Sequence, residues 1–273
     1  MTTLRIIGLG INNITHLTIE GVEQLKRAKK VLYLATDPKG VEKLLKQYGV
    51  VSAESLQKLY RNLEQDETNY HNLEAKILKE CCKSDDVALL LPGHPQIGVT
   101  LVQRLRAKER ERNFKIIIIP GISSFDCMLN DLNRDPLEYG AAIIDANRLL
   151  LFEYQMEAAI DYYIYHVCSI GTSQISMQNA ALGNRIDLLN KYLLKFYDAK
   201  HPVTLISSST SSGVSSEVFT GSIGKLDELL PHIHFGTTLF IPGVRRKYLN
   251  KDYLALLQPK QGKDHVASTA VIA

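Results

Sequence analysis

The sequence predicts an α/β protein of two domains, in which a mostly parallel sheet with helices on both faces is followed by a mixed α/β domain. Two apolar runs, at 87–91 and 116–119, carry this prediction, and each ends abruptly in a proline–glycine turn. Short apolar runs of this kind are typical of strands that are buried on both faces of a parallel sheet. A helical stretch over 98–112 separates the two runs, so that together they predict a β-α-β unit.

The first half of the chain alternates between apolar runs and helical patterns. Its first run ends at Gly8-Leu9-Gly10, Thr18 can cap the helix that follows, and Leu73 and Ile77 show helical spacing. In chain order, the expected elements are strand 4–8, helix 18–30, strand 31–35, helices 38–48 and 70–83, strand 87–91, helix 98–112, strand 116–119 and helix 123–132. This alternation implies a parallel sheet, and we assign residues 1–133 to this domain.

The second half carries more strand-like runs and fewer helical ones, which indicates a mixed α/β domain over 134–257. Its expected elements are strands 141–145, 149–152, 163–170, 203–207, 218–220 and 237–241, and helices 183–197 and 223–230. Residues 258–273 differ again, because a polar stretch gives way to small, nearly uncharged residues, and we expect a flexible tail there. A ligand cleft between two such domains is the default expectation.

The composition argues against several classes of function. The formal net charge of +3 is too small to favour nucleic acid, and no apolar stretch approaches the roughly 20 residues that span a bilayer. The chain runs directly into a strand, which leaves no room for a signal peptide. The four cysteines show no metal-ligand spacing. We therefore expect a cytoplasmic protein with reduced thiols, no metal, and neither nucleic acid nor membrane as a partner.

Two turns fall where ligands bind in open α/β sheets, just beyond the carboxyl ends of the strands. In Gly93-His94-Pro95 the backbone can approach a ligand, and His94 is either a base or ligand-facing donor, or a turn residue bonded to backbone. Pro120-Gly121-Ile122-Ser123-Ser124 opens a helix, whose free N–H groups favour a carboxylate. Gly8-Leu9-Gly10 is a weak dinucleotide signature, because Asn13 stands where a third glycine is needed.

Tyr60 and Tyr70 lie ten residues apart in a polar stretch. Phenols reach across a cleft and serve as acid or base where their pKa is lowered. On composition alone, surface or packing tyrosines are the commoner interpretation.

The order of these motifs resembles the tetrapyrrole methylase superfamily of S-adenosylmethionine-dependent methyltransferases. The first loop with His16-Leu17-Thr18, the Gly93-His94-Pro95 loop and the Pro120–Ser124 loop match three of the family's motifs in order, within a resemblance over about residues 4–245. That family binds its methyl donor between two α/β domains. The resemblance therefore implies a tetrapyrrole-methylase-like fold, with S-adenosylmethionine as cofactor and S-adenosylhomocysteine as product.

Within the superfamily, the chain most resembles the borosin peptide backbone α-N-methyltransferases, which act in RiPP biosynthesis. The segments that carry this resemblance are the Gly93-His94-Pro95 loop, Asn130–Pro136, Lys200–Val203 and Gly236–Pro242. Tyr60 and Tyr70 match two tyrosines that lie near the methyl acceptor in fused borosins. The resemblance implies that one of them acts as base and the other as oxyanion donor towards a backbone amide.

The resemblance also implies the residues of the cofactor site. These are Pro92, Gly93, His94, Pro95, Ile97, Ile122, Ser123, Ser124, Val167, Cys168, Ser208, Ser209, Thr237 and Thr238. The acceptor side departs from the borosin pattern, because Asp66 stands where those proteins carry an arginine and Pro92 where they carry a tyrosine. Arg61 is the candidate for the missing positive charge.

Fused borosins carry their substrate at the C-terminus and methylate it within an intertwined homodimer. The tail of this chain has the same small, apolar composition, at Val266, Ala267, Ser268, Thr269, Ala270, Val271 and Ile272. A separate precursor peptide is the other expected substrate, because the helical domain that joins enzyme and core in fused borosins has no room here. Two alternatives stay open: a tetrapyrrole or corrinoid methylase, and a catalytically silent methylase-like binding domain.

Overall fold

The computed structural model of the chain describes residues 2–12, 15–112, 114–174, 176, 178–245 and 249–257. Their strands form two five-stranded sheets that follow one another along the chain. The first sheet is entirely parallel and has the strand order β3-β2-β4-β1-β5. The second has the order β6-β7-β10-β8-β9, in which only β6 and β7 run parallel. The predicted α/β fold class is confirmed.

The first sheet takes its strands and helices alternately from the chain. The strands are β1 (Thr2–Gly8), β2 (Lys30–Tyr33), β3 (Ala53–Ser55), β4 (Asp86–Leu91) and β5 (Phe114–Ile119). The helices are α1 (Ile19–Arg27), α2 (Pro38–Gln47), α3 (Asp66–Cys81), α4 (Thr100–Glu109) and α5 (Ser124–Asp131), with a short 3₁₀ turn at Gln57–Leu59. The sequence analysis misses β3, a three-residue edge strand too short to show periodicity.

Alternation along β1 and β4 explains why helices cover both faces of the first sheet. Leu4, Ile6 and Leu89 point into one apolar cluster, which includes residues of α3 and α4. Ile7 and Leu90 point into the opposite cluster, with residues of α1 and α2. Strands with both faces buried in this way are expected to be nearly continuous apolar runs, as these are.

The second sheet is built from the later part of the chain. Its strands are β6 (Ala141–Asp145), β7 (Asp161–Tyr165), β8 (Pro202–Ser207), β9 (Glu217–Ser222) and β10 (Thr238–Ile241). The helices are α6 (Pro136–Tyr139), α7 (Ala146–Leu151), α8 (Ile186–Leu193) and α9 (Lys251–Leu257), with 3₁₀ turns at Val167–Ser169 and Ile223–His232. One face of the sheet packs against α7, α8 and the second of these turns.

Three expectations for the second half are wrong. The run 149–152 belongs to α7 rather than to a strand, because the Asp145 side chain caps the helix at the Arg148 N–H and Ala146 and Leu149 share its buried side. The strand expected to reach 170 ends at Tyr165, since His166 adopts a left-handed conformation with φ of 57°. The stretch 223–230 is a 3₁₀ turn rather than an α-helix.

Helix α5 connects the two sheets. Although it follows β5 directly, its Met128 packs with Tyr163, Ile206 and Phe240 on the second sheet. The ring of Phe125 meets that of Tyr163 edge-on at 4.9 Å between centroids. The boundary near residue 134 stays a prediction, and the helix just before it ties the two sheets together.

The described residues contain neither a helix long and apolar enough to cross a membrane nor a cluster of side chains that could hold a metal ion. Cys81 and Cys168 are buried free thiols, while Cys82 is exposed and Cys127 half-buried.

Candidate functional site

Three loops meet through their backbones where three neighbouring strands of the first sheet end. β4, β1 and β5 are neighbours, and Gly8 lies opposite Leu91 while Ile7 lies opposite Ile119. A Cβ placed on Gly8 would lie 2.6 Å from the Gly93 carbonyl oxygen and 2.7 Å from the Gly121 nitrogen. These contacts leave no room for a side chain, so glycine is required for the loops to meet.

The Gly93 loop is fastened to the loop that follows β1. The Gly93 N–H donates to the Gly10 carbonyl oxygen at 2.9 Å, and the Gly10 N–H donates to the Gly93 oxygen at 3.3 Å. Within the loop, the Gln96 N–H donates to His94 Nδ1 at 3.1 Å. This bond supports the interpretation of His94 as a turn residue. Pro95 is buried, whereas Pro92 and Ile97 are half-buried.

The loop after β5 uses part of its hydrogen-bonding capacity internally. Ser123 is buried, and its N–H and Oγ both donate to Asp126 Oδ2, at 2.7 and 2.6 Å. The Asp126 N–H in turn donates to Ser123 Oγ at 3.2 Å, which completes a capping box. Two of the amides expected to be free at this helix start therefore already have partners. Ser124 Oγ lies 2.9 Å from the Tyr165 hydroxyl, across the two sheets.

A polar cavity of about 270 Å³ opens beside these loops. The loop between β1 and α1 supplies Asn12 and His16, and helix α5 supplies Asp131. The loop between β8 and β9 supplies most of the remaining wall, including Ser208 and Ser209. Asp131 Oδ2 accepts hydrogen bonds from Ser208 Oγ at 2.7 Å and from Ser216 Oγ at 2.8 Å. The cavity is thus held by side chains from both sheets.

The remaining predicted cofactor residues differ in what they can offer. Val167 and Cys168 lie in a buried 3₁₀ turn, where burial raises the pKa of the Cys168 thiol to about 11. Thr237 is buried and its hydroxyl donates to the His234 carbonyl at 2.7 Å, while Thr238 pairs with Ile206 in the sheet. Ile122 is exposed.

Tyr60 and Tyr70 are brought together by the start of α3. Their ring centroids lie 6.1 Å apart at an interplanar angle of 71°, and the Tyr60 hydroxyl donates to Asp66 Oδ1 at 3.2 Å. Asn69, which is 1% exposed, holds this arrangement by accepting from the Arg61 N–H at 2.8 Å and donating to its carbonyl at 3.0 Å. The Arg61 residue itself is exposed.

Burial raises the pKa of both phenols, and the charge of Asp66 adds to the effect. A tyrosine that acts as base needs a lowered pKa. The shift has the opposite direction, so both side chains are hydroxyl donors at neutral pH. Tyr70 also packs in the same apolar cluster as Val99, which immediately precedes α4.

A carboxylate and an imidazole lie beside the tyrosines. Burial raises the pKa of Asp66, and both the bond from Tyr60 and the charge of His166 partly offset that rise. His166 Nδ1 lies 2.6 Å from Asp145 Oδ2. A Cβ on Gly98 would lie 3.1 Å from the His166 ring, so the imidazole fits closely against the end of the Gly93 loop. The arrangement can bind a polar ligand and move a proton.

A family model described as Tetrapyrrole (Corrin/Porphyrin) Methylases matches residues 3–227. The chain belongs to this family. The resemblance drawn from the strand-end loops is confirmed, and several curated relatives of this chain are named as borosin precursors.

One relative, from Gymnopilus junonius, is named a methyltransferase/ribosomally synthesized type I borosin cyclic peptide precursor and is 27% identical over 240 residues, or 88% of this chain and 57% of the relative. A type II borosin precursor from Phlebiopsis gigantea is 27% identical over 241 residues, 88% of this chain and 43% of its own length. The omphalotin A precursor of Omphalotus olearius is 23% identical over 258 residues, 94% of this chain and 61% of its own. The chain therefore spans about half of the length of these relatives.

Solved structures show the same fold. Uroporphyrin-III-C-methyltransferase from Thermus thermophilus superposes with a TM-score of 0.61 and 16% identity, over 89% of this chain and 92% of that one. A cobalt precorrin-4 methyltransferase gives 0.61 and 12%, over 88% and 94%. At these identities the likeness concerns the fold of the chain alone.

Sequence reasoning misses several residues of the site. Three such residues, Asn12, His16 and Asp131, line the cavity. They lie in or near recognised motifs, but the sequence does not identify them as site residues. Asp66 stands out as a departure from the borosin pattern, but its position beside Tyr60 requires the structure. Nothing in the sequence around His166 signals its electrostatic interaction with Asp66. The tail residues Val266 to Ile272 lie outside the described residues.

Proposed function

We propose that this protein transfers methyl groups from S-adenosylmethionine to backbone amide nitrogens of a peptide. The observation that carries the proposal is the pair of half-buried tyrosines, Tyr60 before α3 and Tyr70 in it, which pack in the same apolar cluster as Val99 in the connection after β4. An amide presents one N–H and one carbonyl oxygen, which two neighbouring hydroxyls can address together. The borosin names of the relatives agree with this substrate class.

The structure fits a polar ligand of the cofactor's kind. The glycine contacts between Gly8, Gly93 and Gly121 bring backbone close to a ligand, and hydroxyls of the β8–β9 loop line the adjoining cavity. We assign the methionine end to the Pro92–Ile97 and Ile122–Ser124 loops. Residues near Val167, Ser208 and Thr237 close over the rest of the molecule. When bound, S-adenosylmethionine supplies an electrophilic methyl group.

On the acceptor side, the two tyrosines have different tasks. Tyr70 donates a hydrogen bond to the amide carbonyl oxygen, which gains negative charge as the nitrogen becomes nucleophilic. Tyr60 faces the amide N–H. Holding amide and methyl group in line accounts for much of the catalysis, because methyl transfer needs little covalent assistance.

The peptide is either the C-terminal tail, Val266 to Ile272, or a separate precursor. Its small, apolar residues suit an extended path into a narrow cleft. The intertwined homodimer and the cytoplasmic location remain predictions that belong with this proposal.

Intact-mass measurement after incubation with S-adenosylmethionine tests the proposal. We expect mass increases of whole methylene units, which fragmentation assigns to backbone nitrogens of the tail or of an added peptide with the tail's sequence. Tyr70→Phe, which keeps the ring, should lower the methylation rate and leave cofactor binding intact. Calorimetric binding of S-adenosylhomocysteine without methylation of any peptide would contradict the proposal, as would methylation confined to a tetrapyrrole.

A further inference from the structure

Asp66 occupies the position between an acceptor tyrosine and an imidazole. Its Oδ1 accepts the hydrogen bond of Tyr60 at 3.2 Å, and its charge interacts with that of His166. The backbone N–H of Asp66 donates to the Ser173 carbonyl at 3.1 Å, and Ser173 Oγ donates to Gln65 Oε1 at 2.9 Å. The backbone at Asp66 is therefore tied to a segment of the second half of the chain, while the carboxylate itself holds the Tyr60 hydroxyl.

The proposed reaction needs a proton acceptor. A backbone amide nitrogen attacks a methyl group well only as its N–H proton leaves, and that proton must reach a base in the site. Tyr60 meets the N–H, but burial and the nearby Asp66 charge raise the pKa of its phenol and oppose a standing phenolate. Tyr60 is consequently suited to pass a proton on and not to keep it.

Resting on the proposed function, we infer that Asp66 accepts the amide proton through the Tyr60 hydroxyl, and that His166, held by Asp145, positions and tunes this carboxylate. The nitrogen lone pair forms the new N–CH₃ bond while the sulfur–methyl bond breaks and its electrons stay on sulfur. The amide proton moves to Tyr60 as the phenolic proton moves to Asp66. The positive charge of the donor and the negative charge of Asp66 disappear together, so charge balances without another reactant.

This scheme gives a reason for the environment of Asp66. A general base works best when its pKa lies near the working pH, and burial moves the pKa of this carboxyl upward in that direction. The titratable groups whose charges act on or respond to Asp66 are Tyr60, Tyr70, His166 and Cys168. Asp66 and His166 are positioning residues, because neither touches the amide itself.

His166 is placed for its role by two elements of the second sheet. Asp145, at the end of β6, holds the imidazole at 2.6 Å between Nδ1 and Oδ2. The left-handed backbone of His166 ends β7 and turns the chain into the Val167–Ser169 turn. A non-glycine residue in this conformation is uncommon and is often found at functional sites.

Asp66→Asn tests the inference, because it keeps the shape and the acceptor oxygen for Tyr60 but cannot take a proton. We expect the methylation rate to fall by about 10²-fold or more, the usual contribution of a general base. Cofactor affinity, measured by calorimetry, should change less than about twofold. Glu67→Gln is the matched control. It removes the same charge at the neighbouring position, where the side chain is 78% exposed.

The pH dependence separates proton acceptance from a structural role. The base must be ionised, so the wild-type rate falls with decreasing pH below the pKa of Asp66, and Asp66→Asn should lose this dependence. His166→Asn, which tolerates the left-handed conformation, removes a charge that lowers the pKa of Asp66 and should move the fall in rate to higher pH. Carboxyl NMR of the cofactor-free protein should show the same upward shift for Asp66.

Two results would overturn the inference. If Asp66→Asn methylates at the wild-type rate with the same pH profile, the proton does not travel to Asp66, and the proposed function still stands. If the wild-type protein binds cofactor but methylates no peptide, the proposed function fails and the inference fails with it.

Discussion

Gly8 and Gly121 show how strongly single residues constrain the strand-end loops. A Cβ on Gly121 would lie 2.5 Å from the Gly93 oxygen and 2.8 Å from the Gly8 oxygen, and all of these are backbone atoms that cannot rotate away. Neither glycine has a left-handed φ, so the requirement is for space alone. The position of each loop therefore depends on the absence of a side chain in its neighbour.

Gly121→Ala should accordingly harm the cofactor site first. We expect a loss of about 1–3 kcal/mol in the free energy of unfolding, typical of overpacking, measured by denaturant titration. Calorimetry should also show a clear loss of S-adenosylhomocysteine affinity. Gly221→Ala is the control, because its nearest neighbours are side-chain atoms of Leu229, which can move. Equal effects of the two substitutions would contradict this account.

At the scale of the element, the first turn of α3 carries the residues to which we assign the acceptor chemistry. The sequence predicts a helix that begins at Tyr70, whereas α3 begins at Asp66. The additional turn contains Asp66 and Asn69, and Asn69 binds back to the Arg61 backbone next to Tyr60. Polar residues in this turn hide the start of the helix from periodicity, and the same residues set the distance between the tyrosines.

Asn69→Ala should loosen the connection between Tyr60 and Tyr70. Two hydrogen bonds are lost, which should reduce the free energy of unfolding by about 2 kcal/mol in a denaturant titration. The methylation rate should fall further than the affinity for cofactor, because only the acceptor side is disturbed. His71→Ala, at an exposed position two residues along the helix, should change neither quantity appreciably. An Asn69→Ala protein of wild-type stability and rate would contradict the role.

At the scale of the whole molecule, α5 and the β8–β9 loop join the two sheets around the cavity. Met128 and Phe125 pack on the second sheet, while Asp131 accepts hydrogen bonds from Ser208 and Ser216. In the loop after β1, Asn12 Nδ2 donates a hydrogen bond to Ser212 Oγ at 3.0 Å. These contacts make the cleft a product of both halves of the chain.

Asp131→Ala should release the β8–β9 loop without unfolding the protein, since Asp131 is exposed. We expect faster hydrogen exchange over 208–216 and about five- to tenfold weaker cofactor binding, equivalent to roughly 1–1.4 kcal/mol. Glu228→Ala removes an exposed carboxylate that pairs with Lys225, and it should change neither the exchange nor the cofactor binding. Unchanged exchange in this loop would show that other contacts hold it.

The sequence predicts much of the donor side because neighbouring parallel strands place their ends together. Once 87–91 and 116–119 are recognised as strands, the Gly93 and Gly121 loops must lie close to each other. The electrostatic interaction of Asp66 with His166 has no such rule behind it. It depends on how the second sheet is set against the first, and on the left-handed turn at His166, which the pattern of β7 does not reveal.

The tyrosine pair follows β3, at one edge of the first sheet, whereas the glycine loops follow β4, β1 and β5, which run from the middle of the sheet to its other edge. Under the proposed function, separate pieces of the chain would therefore bind the methyl donor and select the nucleophile. A chimaera that exchanged residues 56–70 would alter which atom receives the methyl group and leave the machinery for delivering it in place. This modular arrangement is a simple route by which one scaffold acquires new acceptors.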